Sequence, residues 1–494
     1  MRAPGKKRGR KAAASIAARL SGHVALEAQA DGGLAACFDG YSIDLGKFSI
    51  GAIDRAERLR TGLPLDAFTS GGGSAADQEV DRLVRRLARR GLLEYRLPRS
   101  GDAHDQVVVE PQVPDYWPQM SALDGTDLIV LSRFAYLRRR GTEMILESPR
   151  AGALFRIGDP ELVSALARLA TPHSINKLRR QHGFPGLALL ALLVDCRILF
   201  KIDAAGGDGL RVNEGDDNLV LWDFHDLLFH TRSTEGRQAN PLGGVYPYAG
   251  VMPPPAAVRP RWPGKKIDLS KASAIAPAAV PPVARLLRGR HSTRDFDDRR
   301  PMTLAELAQF LDCTMRVQSK WKGWLDLGGG GPLVAYTTRP YPSGGSSYEL
   351  ELYLAVANCA GLARGFYHYD ADRHALMPIE VRPYELDAML TAAGFAMDAS
   401  RPPQILLTIA ARFGRVSWKY SAIAYSLILK NVGVLLQTLY LTATDMGLGG
   451  CAVGTSNIDL FAKMTGLPFH VEGPVGLFAL GRGQAEASRE LSPA

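Results

Sequence analysis

A short loop concentrates hydrogen-bond donors in the C-terminal third of the chain. Arg290, His291, Ser292 and Arg294 lie within five positions, in the stretch "RHSTR". Two guanidiniums, an imidazole and a hydroxyl form a donor set that suits a doubly charged phosphate. Spacing alone gives equal weight to a solvated basic loop that is neutralised by the acidic residues of the following "DFDD".

A lysine and a tyrosine stand together where a long apolar segment begins. Lys419 and Tyr420 precede "SAIAYSLILKNVGVLLQTLYL", and we expect both in the first helical turn, with Ser417 as the N-cap. The helix dipole and partial burial would then lower the pKa of the lysine, so that the pair could exchange a proton with a substrate. The commoner alternative is a Lys–Tyr pair that packs at a helix end with its polar groups in water.

Glycine-rich segments accompany these residues. "PSGGSS" (342–347) precedes a strand in which Leu350, Leu352, Leu354 and Val356 alternate with other residues, and "GLGGCAVG" ends at Gly454. Glycines allow a backbone to approach a flat ligand closely, although a plain turn is the alternative. "GLGGCAVG" has neither the spacing of a dinucleotide-binding loop nor the helix that should follow it.

The elements around these segments indicate one domain from 283 to 494. Thr303 and Glu306 form a capping box for a helix that starts at Leu304. The segment after Tyr420 is apolar on almost every side, so we expect that helix to be buried, either within the domain or in a dimer. Near the end of the chain, Arg482 is a third candidate phosphate cation.

The preceding residues show one order of elements twice. Two strands, helices and a final strand are predicted over 16–110 and again over 120–205, which is typical of winged-helix modules. In the first module Val80, Leu83, Val84 and Leu87 share a helix face that ends before Gly91. Such modules bind DNA or capture a peptide at a strand edge. The basic helix "RLVRRLARR" of the first module would suit DNA, although a solvated helix face explains its arginines more simply, and the apolar helix "LALLALLV" of the second module does not suit DNA.

Residues 206–282 read as a connector. We expect one amphipathic helix in "DNLVLWDFHDLLFHTR", followed by a Pro-rich segment without regular structure. At the other end of the chain, residues 1–15 form a basic tail that carries six of the basic residues and leaves about +3 of the net charge of +9 for the rest.

The charge and cysteine patterns indicate which partners and which cellular location to expect. A basic tail is more often solvated than a binding site, so no nucleic-acid partner is expected. The apolar run "LALLALLV" is too short to span a bilayer, so no membrane is expected either. Five scattered cysteines without a CxxC motif favour a reducing, cytoplasmic location without a structural metal site.

Several motifs together resemble the nitroreductase flavoprotein superfamily, and within it the SagB-type (McbC/ThcOx) azoline dehydrogenases. They are, in order, "SRFAYLRRRGTEMILESPRAGA", "FHDLLFHTRSTEGR", "RHSTRDF", "RPYPSGGSSYELELYLAV", "FYHYD", "SWKYSAIAYSLILKNVG", "LYLTATDMGLGGCAVG" and "VGLFALGRG". The resemblance covers roughly 120 to 484. It implies an α+β protein whose C-terminal FMN domain, an antiparallel sheet flanked by helices, follows two winged-helix-like peptide-binding modules.

The resemblance also implies roles for residues. Arg290, His291, Ser292 and Arg294 would hold the FMN phosphate and ribityl chain, with support from Arg482. Pro342, Ser343, Gly344 and Gly345 would meet the flavin from the partner subunit of a homodimer, and Gly454 would present a backbone N–H near the flavin N5 atom. Lys419 and Tyr420 match the lysine–tyrosine motif that is assigned to deprotonating the azoline ring.

The implied activity is FMN-dependent oxidation of thiazolines or oxazolines to thiazoles or oxazoles in a ribosomally synthesised, post-translationally modified peptide. The precursor peptide would be the partner, together with a possible cyclodehydratase. Two alternatives remain open: an NAD(P)H-dependent reductase of nitro compounds or quinones, and a non-catalytic scaffold that binds the leader peptide.

Overall fold

The computed structural model describes most of the chain, and its two compact units are considered separately. The described residues are 16–29, 33–38, 41–65, 75–98, 105–113, 115–202, 214–234, 250–259, 263, 267–269, 281–325 and 331–483. The N-terminal unit comprises Met1–Arg232 with Gly236–Ala239, and the C-terminal unit comprises the remainder. The predicted basic tail and about half of the predicted connector lie outside the described residues.

The N-terminal unit combines strands and short helices. Its strands are β1 Ala17–Leu20, β2 Ala25–Ala28, β3 Gly33–Phe38, β4 Tyr41–Lys47, β5 Leu63–Pro64, β6 Leu93–Pro98, β7 Asp105–Pro111, β8 Leu128–Leu131, β9 Tyr136–Arg140, β10 Glu143–Glu147, β11 Ala153–Ile157, β12 His173–Ser174 and β13 Leu199–Ile202. Its α-helices are α1 Ile50–Ala56, α2 Ala75–Arg89, α3 Pro160–Arg168, α4 Ile175–Arg179, α5 Leu187–Asp195 and α6 Phe224–Arg232.

Strands from both predicted modules pair in one sheet of the N-terminal unit. The seven-stranded sheet has the order β5-β1-β6-β7-β11-β10-β9, and Val109 of β7 lies opposite Phe155 of β11. Two three-stranded sheets, β12-β8-β13 and β2-β3-β4, complete the strands. The mixture of strands and helices is confirmed, while the winged-helix assignment stays a prediction.

Helix α2 forms as its sequence pattern predicts. Val80, Leu83, Val84 and Leu87 are all buried, because residues three and four apart lie on one helix face. The chain leaves the helix through Gly91, whose φ of +66° lies in the left-handed region that glycine adopts without strain.

The prediction of a single helix in "DNLVLWDFHDLLFHTR" is wrong. A 3-10 helix occupies Asp217–Leu221, and α6 begins only at Phe224. Trp222 is extended and buried between them, and the Asp223 carboxylate accepts a hydrogen bond from the His225 backbone N–H at 2.9 Å. An aspartate in that position starts a new helix and so separates the two.

The C-terminal unit is built around an antiparallel six-stranded sheet. The unit contains β14 Ser319–Trp324, β15 Leu333–Thr338, β16 Leu350–Val356, β17 Gly365–Asp370, β18 Ala375–Ile379, β19 Ile405–Arg412, β20 Gly449–Val453 and β21 Glu472–Gly481. Its helices are α7 Pro282–Gly289, α8 Leu304–Met315, α9 Pro383–Ala396, α10 Gly414–Ser417, α11 Ala424–Asp445 and α12 Ile458–Thr465. The large sheet has the order β18-β17-β16-β19-β21-β20, and β14 and β15 form a separate two-stranded sheet.

Helix α8 starts as predicted. The Glu306 N–H donates to Thr303 Oγ1 at 3.2 Å, and the Thr303 N–H donates to Glu306 Oε2 at 2.8 Å. This reciprocal pair satisfies two backbone donors that a helix N-terminus leaves without partners.

Helix α11 is the long apolar helix that the sequence indicates. Eight of its 22 residues are buried: Ala424, Tyr425, Ile428, Asn431, Val432, Leu435, Leu439 and Ala443. Val434 on another face is 38% exposed, so only part of the helix surface is buried within this chain. Among the described residues α11 is also the helix whose length and apolar composition would allow it to cross a membrane, a property that core helices share.

Candidate active site

The second half of α11 holds the arginine loop, which we define as residues 290–294. Ser292 Oγ lies 2.9 Å from the Tyr440 phenol oxygen. The Ala452 N–H of β20 donates to the same oxygen at 2.7 Å, and the Arg290 guanidinium lies 5.1 Å from the centre of the Tyr440 ring. Tyr440 therefore connects the loop to the edge of the six-stranded sheet.

The loop also contacts β20 directly through its backbone. The Thr293 N–H donates to the Gly450 carbonyl at 2.9 Å. A Cβ on Gly449 would lie 2.6 Å from Thr293 Cγ2, so only glycine permits this approach. His291 is exposed, and its Nδ1 lies 3.2 Å from the Gly289 carbonyl oxygen.

The acidic residues after the loop do not neutralise it. Each has another partner: Ser400 for Asp295, Arg300 for Asp297 and Arg401 for Asp298. Within the described part of the chain neither Arg290 nor Arg294 has a carboxylate partner. Burial raises the pKa of the Cys451 thiol, and the charge of Arg294 opposes that shift. Two cations that lack partners in this way suit an anionic ligand.

Gly454 follows the end of β20, two residues after Ala452. A Cβ at this position would meet no described atom within 4 Å, so no contact within the described chain requires glycine there. The sequence-based assignment of Gly454 and the arginine loop to one ligand stays a prediction.

Arg482 directs its side chain away from the arginine loop. Its guanidinium donates to Glu306 Oε1 at 2.6 Å and to the Arg300 carbonyl at 3.1 Å. Its own carbonyl accepts a hydrogen bond from the Asp297 N–H at 2.8 Å. The structure therefore gives Arg482 a backbone contact with the segment after the loop, while an acidic partner engages its charge.

The Lys–Tyr pair contacts the glycine loop, which we define as residues 342–345. The Lys419 ammonium donates to the Gly345 carbonyl at 3.1 Å and lies 5.4 Å from the centre of the Tyr420 ring. Gly345 has a φ of +60°, and a Cβ there would overlap the Tyr420 hydroxyl and lie 2.6 Å from Lys419 Nζ. Two motifs that are distant in sequence thus meet at one point.

The position of the pair relative to α11 differs from the prediction. Ser417 ends the short helix α10 instead of capping α11, which begins at Ala424 without a side-chain cap. Lys419 lies between the two helices and is exposed rather than partly buried, while Tyr420 is half-buried. The break occurs at Ala422, whose φ of +60° is rare for a residue with a Cβ, so the composition gives no sign of it.

A buried polar network connects the glycine loop to α11. The Gly344 N–H donates to Asn431 Oδ1 at 3.1 Å. The Asn431 amide donates to Glu349 Oε1 at 2.9 Å and to Ser343 Oγ at 3.2 Å, and Ser343 Oγ lies 3.2 Å from Glu349 Oε2. Glu349 is fully buried, so these hydrogen bonds replace its hydration. Pro342 at the start of the loop is exposed.

Sequence reasoning missed Tyr440 and Asn431, because it counted α11 only as an apolar helix. Asn431 carried a usable signal, since a polar residue among apolar neighbours is buried only with hydrogen-bond partners. Tyr440 carried none, because a tyrosine in an apolar helix usually reads as core. Both residues lie on α11, and each holds one of the two loops.

Two family models match separate parts of the chain. The model of the cyanobactin oxidase ThcOx matches residues 129–239, and the nitroreductase family model matches residues 287–482. The candidate nitroreductase MJ1384 of Methanocaldococcus jannaschii is 30% identical over 165 residues, which are 33% of this chain and 74% of that protein. The chain belongs to the nitroreductase family. It is an oxidoreductase, and the nitroreductase-like C-terminal fold expected from its motifs is confirmed.

The ThcOx match ahead of the domain confirms the resemblance of this nitroreductase-family chain to SagB-type (McbC/ThcOx) proteins. Similar solved structures include a candidate nitroreductase of Ralstonia eutropha, with 23% identity, 43% of this chain and 87% of that chain covered, and a TM-score of 0.33. The Escherichia coli microcin synthetase McbBCD complex, with truncated pro-MccB17 bound, has 19% identity, coverage of 55% and 97%, and a TM-score of 0.38. The family assignment rests on the sequence matches.

Proposed function

We propose that this oxidoreductase uses FMN to oxidise thiazoline or oxazoline rings to thiazoles or oxazoles in a ribosomally synthesised precursor peptide. The observation that carries the proposal is the contact of Lys419 and Tyr420 with Gly345, which gives the flavin-family fold a proton-transfer pair. The ThcOx match on residues 129–239 supports a peptide substrate.

The residues present fit FMN. Arg290 and Arg294 have no carboxylate partner in the described chain, and Ser292 adds a hydroxyl beside them, which is the donor set that a phosphate requires. We assign the phosphate and ribityl chain to Arg290, His291, Ser292 and Arg294. Arg482 would support the loop through its backbone contact with Asp297 rather than through its charge.

When bound, FMN supplies a two-electron acceptor that takes up a hydride. Aromatisation of an azoline also requires loss of the proton on the ring α-carbon. Lys419 and Tyr420 are adjacent titratable groups at an accessible position, and we assign one of them as the base and the other as its hydrogen-bond partner. The glycine loop (342–345) holds the lysine ammonium through the Gly345 carbonyl.

The test uses the purified full chain. We expect a flavin absorption spectrum, and a loss of about 2 Da per ring when an azoline-bearing peptide is added, because one hydride and one proton leave. Lys419→Ala and Tyr420→Phe should keep the flavin spectrum and lose oxidation. Tyr384→Phe removes an exposed phenol elsewhere in the domain and should oxidise normally.

Two results would overturn the proposal. Full oxidation by both Lys419→Ala and Tyr420→Phe would show that the pair takes no part in the chemistry. Rapid bleaching of the flavin by NADPH, with reduction of nitro compounds and no turnover of azoline peptide, would identify a reductase instead.

We also propose that the enzyme is a cytoplasmic homodimer in which the glycine loop of one subunit meets the flavin of the other, and that it works with a cyclodehydratase. The sequence-based assignment of the glycine loop to the partner's flavin supports the dimer, and on α11 the apolar side chain of Val434 is 38% exposed and available to such a contact. Analytical ultracentrifugation of the flavin-loaded protein tests the dimer directly.

A further inference from the structure

A two-stranded ribbon in the C-terminal unit is exposed on both faces. It consists of β14 and β15 and pairs with no other described strand. Five of the six residues of β14 are exposed. A ribbon of two strands is only marginally stable in water by itself, so a surface of this kind usually has a partner.

The ribbon has one open edge. The Leu325 N–H donates to the Pro332 carbonyl at 3.1 Å, which fixes the alternation of hydrogen-bonded pairs along the ribbon. Lys320, Lys322 and Trp324 fall between those pairs, so their N–H and C=O groups point away from β15. No strand in the described part of the chain pairs with them.

Arg415 contacts the opposite edge, which leads to the candidate active site. The Arg415 guanidinium donates to the Ala335 carbonyl of β15 at 3.3 Å and to the Ser347 carbonyl at 3.2 Å. Ser347 follows the glycine loop, and Arg415 precedes Lys419 by four residues. One side chain therefore connects the ribbon to the segment that follows the glycine loop, and it belongs to the stretch of chain that carries the Lys–Tyr pair.

Aromatic side chains lie on both faces of the open edge. Trp324 is 74% exposed and lies opposite Leu333, which is 46% exposed. On the other face, Trp321 stacks on Tyr336 with ring centres 5.5 Å apart and planes at 18°. Flat aromatic surface of this kind stacks with planar rings.

We infer that the open edge of β14 binds an extended segment of the azoline-bearing peptide, with Trp324 in contact with its rings; this inference rests on the proposed function. Main-chain pairing with a strand edge accepts an extended peptide of any sequence. An azoline has lost the N–H of one backbone amide, so the unmodified residues pair and the ring lies over the strand. Such binding would deliver successive rings toward Lys419.

The charge of the edge opposes a second copy of this chain as the occupant. Antiparallel pairing of two β14 strands would place Lys320 and Lys322 of one copy against those of the other, and like charges opposite each other are unfavourable. Lys320 is paired with Asp372 at 2.6 Å, which leaves Lys322 as the main cation of the edge. A neutral or acidic peptide meets no such repulsion.

Two variants of one residue separate backbone pairing from side-chain contact. Lys322→Pro removes an outward N–H without breaking a bond to β15, since proline is tolerated on an open edge. Lys322→Ala keeps that N–H. We expect the affinity for a fluorescein-labelled peptide with two thiazolines, measured by anisotropy on the flavin-loaded protein, to fall about tenfold in Lys322→Pro and in Trp324→Ala, and less than about twofold in Lys322→Ala.

The controls keep this result distinct from the proposed function. Phe395→Ala removes a matched exposed aromatic ring on α9 and should bind the peptide normally. All four variants should oxidise a small free thiazoline carboxylate as the wild type does. Wild-type affinity in both Lys322→Pro and Trp324→Ala would overturn the inference, as would a shift of Lys322→Pro alone from dimer to monomer. Failure of the wild type to oxidise any thiazoline would instead overturn the proposed function.

Discussion

The Lys419 ammonium donates a hydrogen bond to the Gly345 carbonyl oxygen, 3.1 Å away. This bond connects two parts of the candidate site. One is the residue best placed to transfer a proton, and the other is the loop best shaped to lie against a flat ligand. The position of the lysine therefore depends on the backbone of the loop, and substitutions in the loop should act on catalysis through the lysine.

Substitution of Gly345 provides the first test. Gly345→Ala would force a Cβ into the Tyr420 hydroxyl and against Lys419 Nζ, in addition to the strain of a positive φ. We expect oxidation of azoline peptide to fall at least about tenfold while the flavin content is retained. Gly91→Ala has a similar φ of +66° and no clash, so it isolates the strain. Normal turnover by Gly345→Ala would contradict the arrangement.

The Tyr440 hydroxyl offers a second test. Tyr440→Phe removes the oxygen shared by Ser292 and Ala452, at a cost of about 1 kcal/mol for a lost hydrogen bond. Flavin affinity, measured by fluorescence titration of the apoprotein, should weaken about fivefold. Tyr341→Phe is the matched control, because the buried Tyr341 hydroxyl has no hydrogen-bond partner among the described residues. Equal flavin affinity in the two variants would show that Tyr440 does not hold the loop.

Asn431 provides a test of stability. Asn431→Leu would leave the buried Glu349 carboxylate without its amide donor. We expect the free energy of unfolding to fall by about 2–3 kcal/mol, because the buried Glu349 carboxylate loses a hydrogen-bond donor that replaces its hydration. Gln437→Leu, at an exposed position of the same helix, should change it by less than about 0.5 kcal/mol in urea denaturation. Similar values for both variants would contradict the network.

The environment of Glu306 predicts that its contribution to stability depends on pH. The Thr303 backbone N–H, followed by Arg482, lowers the pKa of Glu306 below its ordinary value of 4.5. A carboxylate with a lowered pKa stabilises the fold at pH values above its ordinary pKa, and this contribution is lost as the pH falls through the lowered one. Glu306→Gln should therefore reduce thermal stability at pH 7 and have progressively less effect below pH 4.5. A destabilisation that is constant from pH 7 to pH 3 would contradict this origin.

How far the sequence predicts this structure depends on whether a feature has a local cause. The capping box at Thr303, the buried stripe of α2 and the strand β16 follow from side chains close in sequence, and all three are confirmed. Strand β16 is buried on both faces, which the alternation of its leucines does not predict. The break before α11 and the pairing of β7 with β11 do not, because one depends on an alanine with positive φ and the other on residues far apart.

The candidate site shows the same division. Sequence motifs identified the arginine loop and the Lys–Tyr pair as separate groups. Their connections run through Tyr440, Asn431 and Arg415, whose partners in or next to the two loops lie more than sixty residues away in sequence. Such contacts exist only after folding, so motif spacing cannot predict them.

Asn431 and Tyr440 sit nine residues apart on one rigid helix, roughly 14 Å along its axis. A shift or rotation of α11 to accommodate a bulkier substrate would disturb the hydrogen bonds that hold both loops. Evolution toward new substrates should therefore proceed through the exposed ribbon and the N-terminal unit, with the helix left almost unaltered.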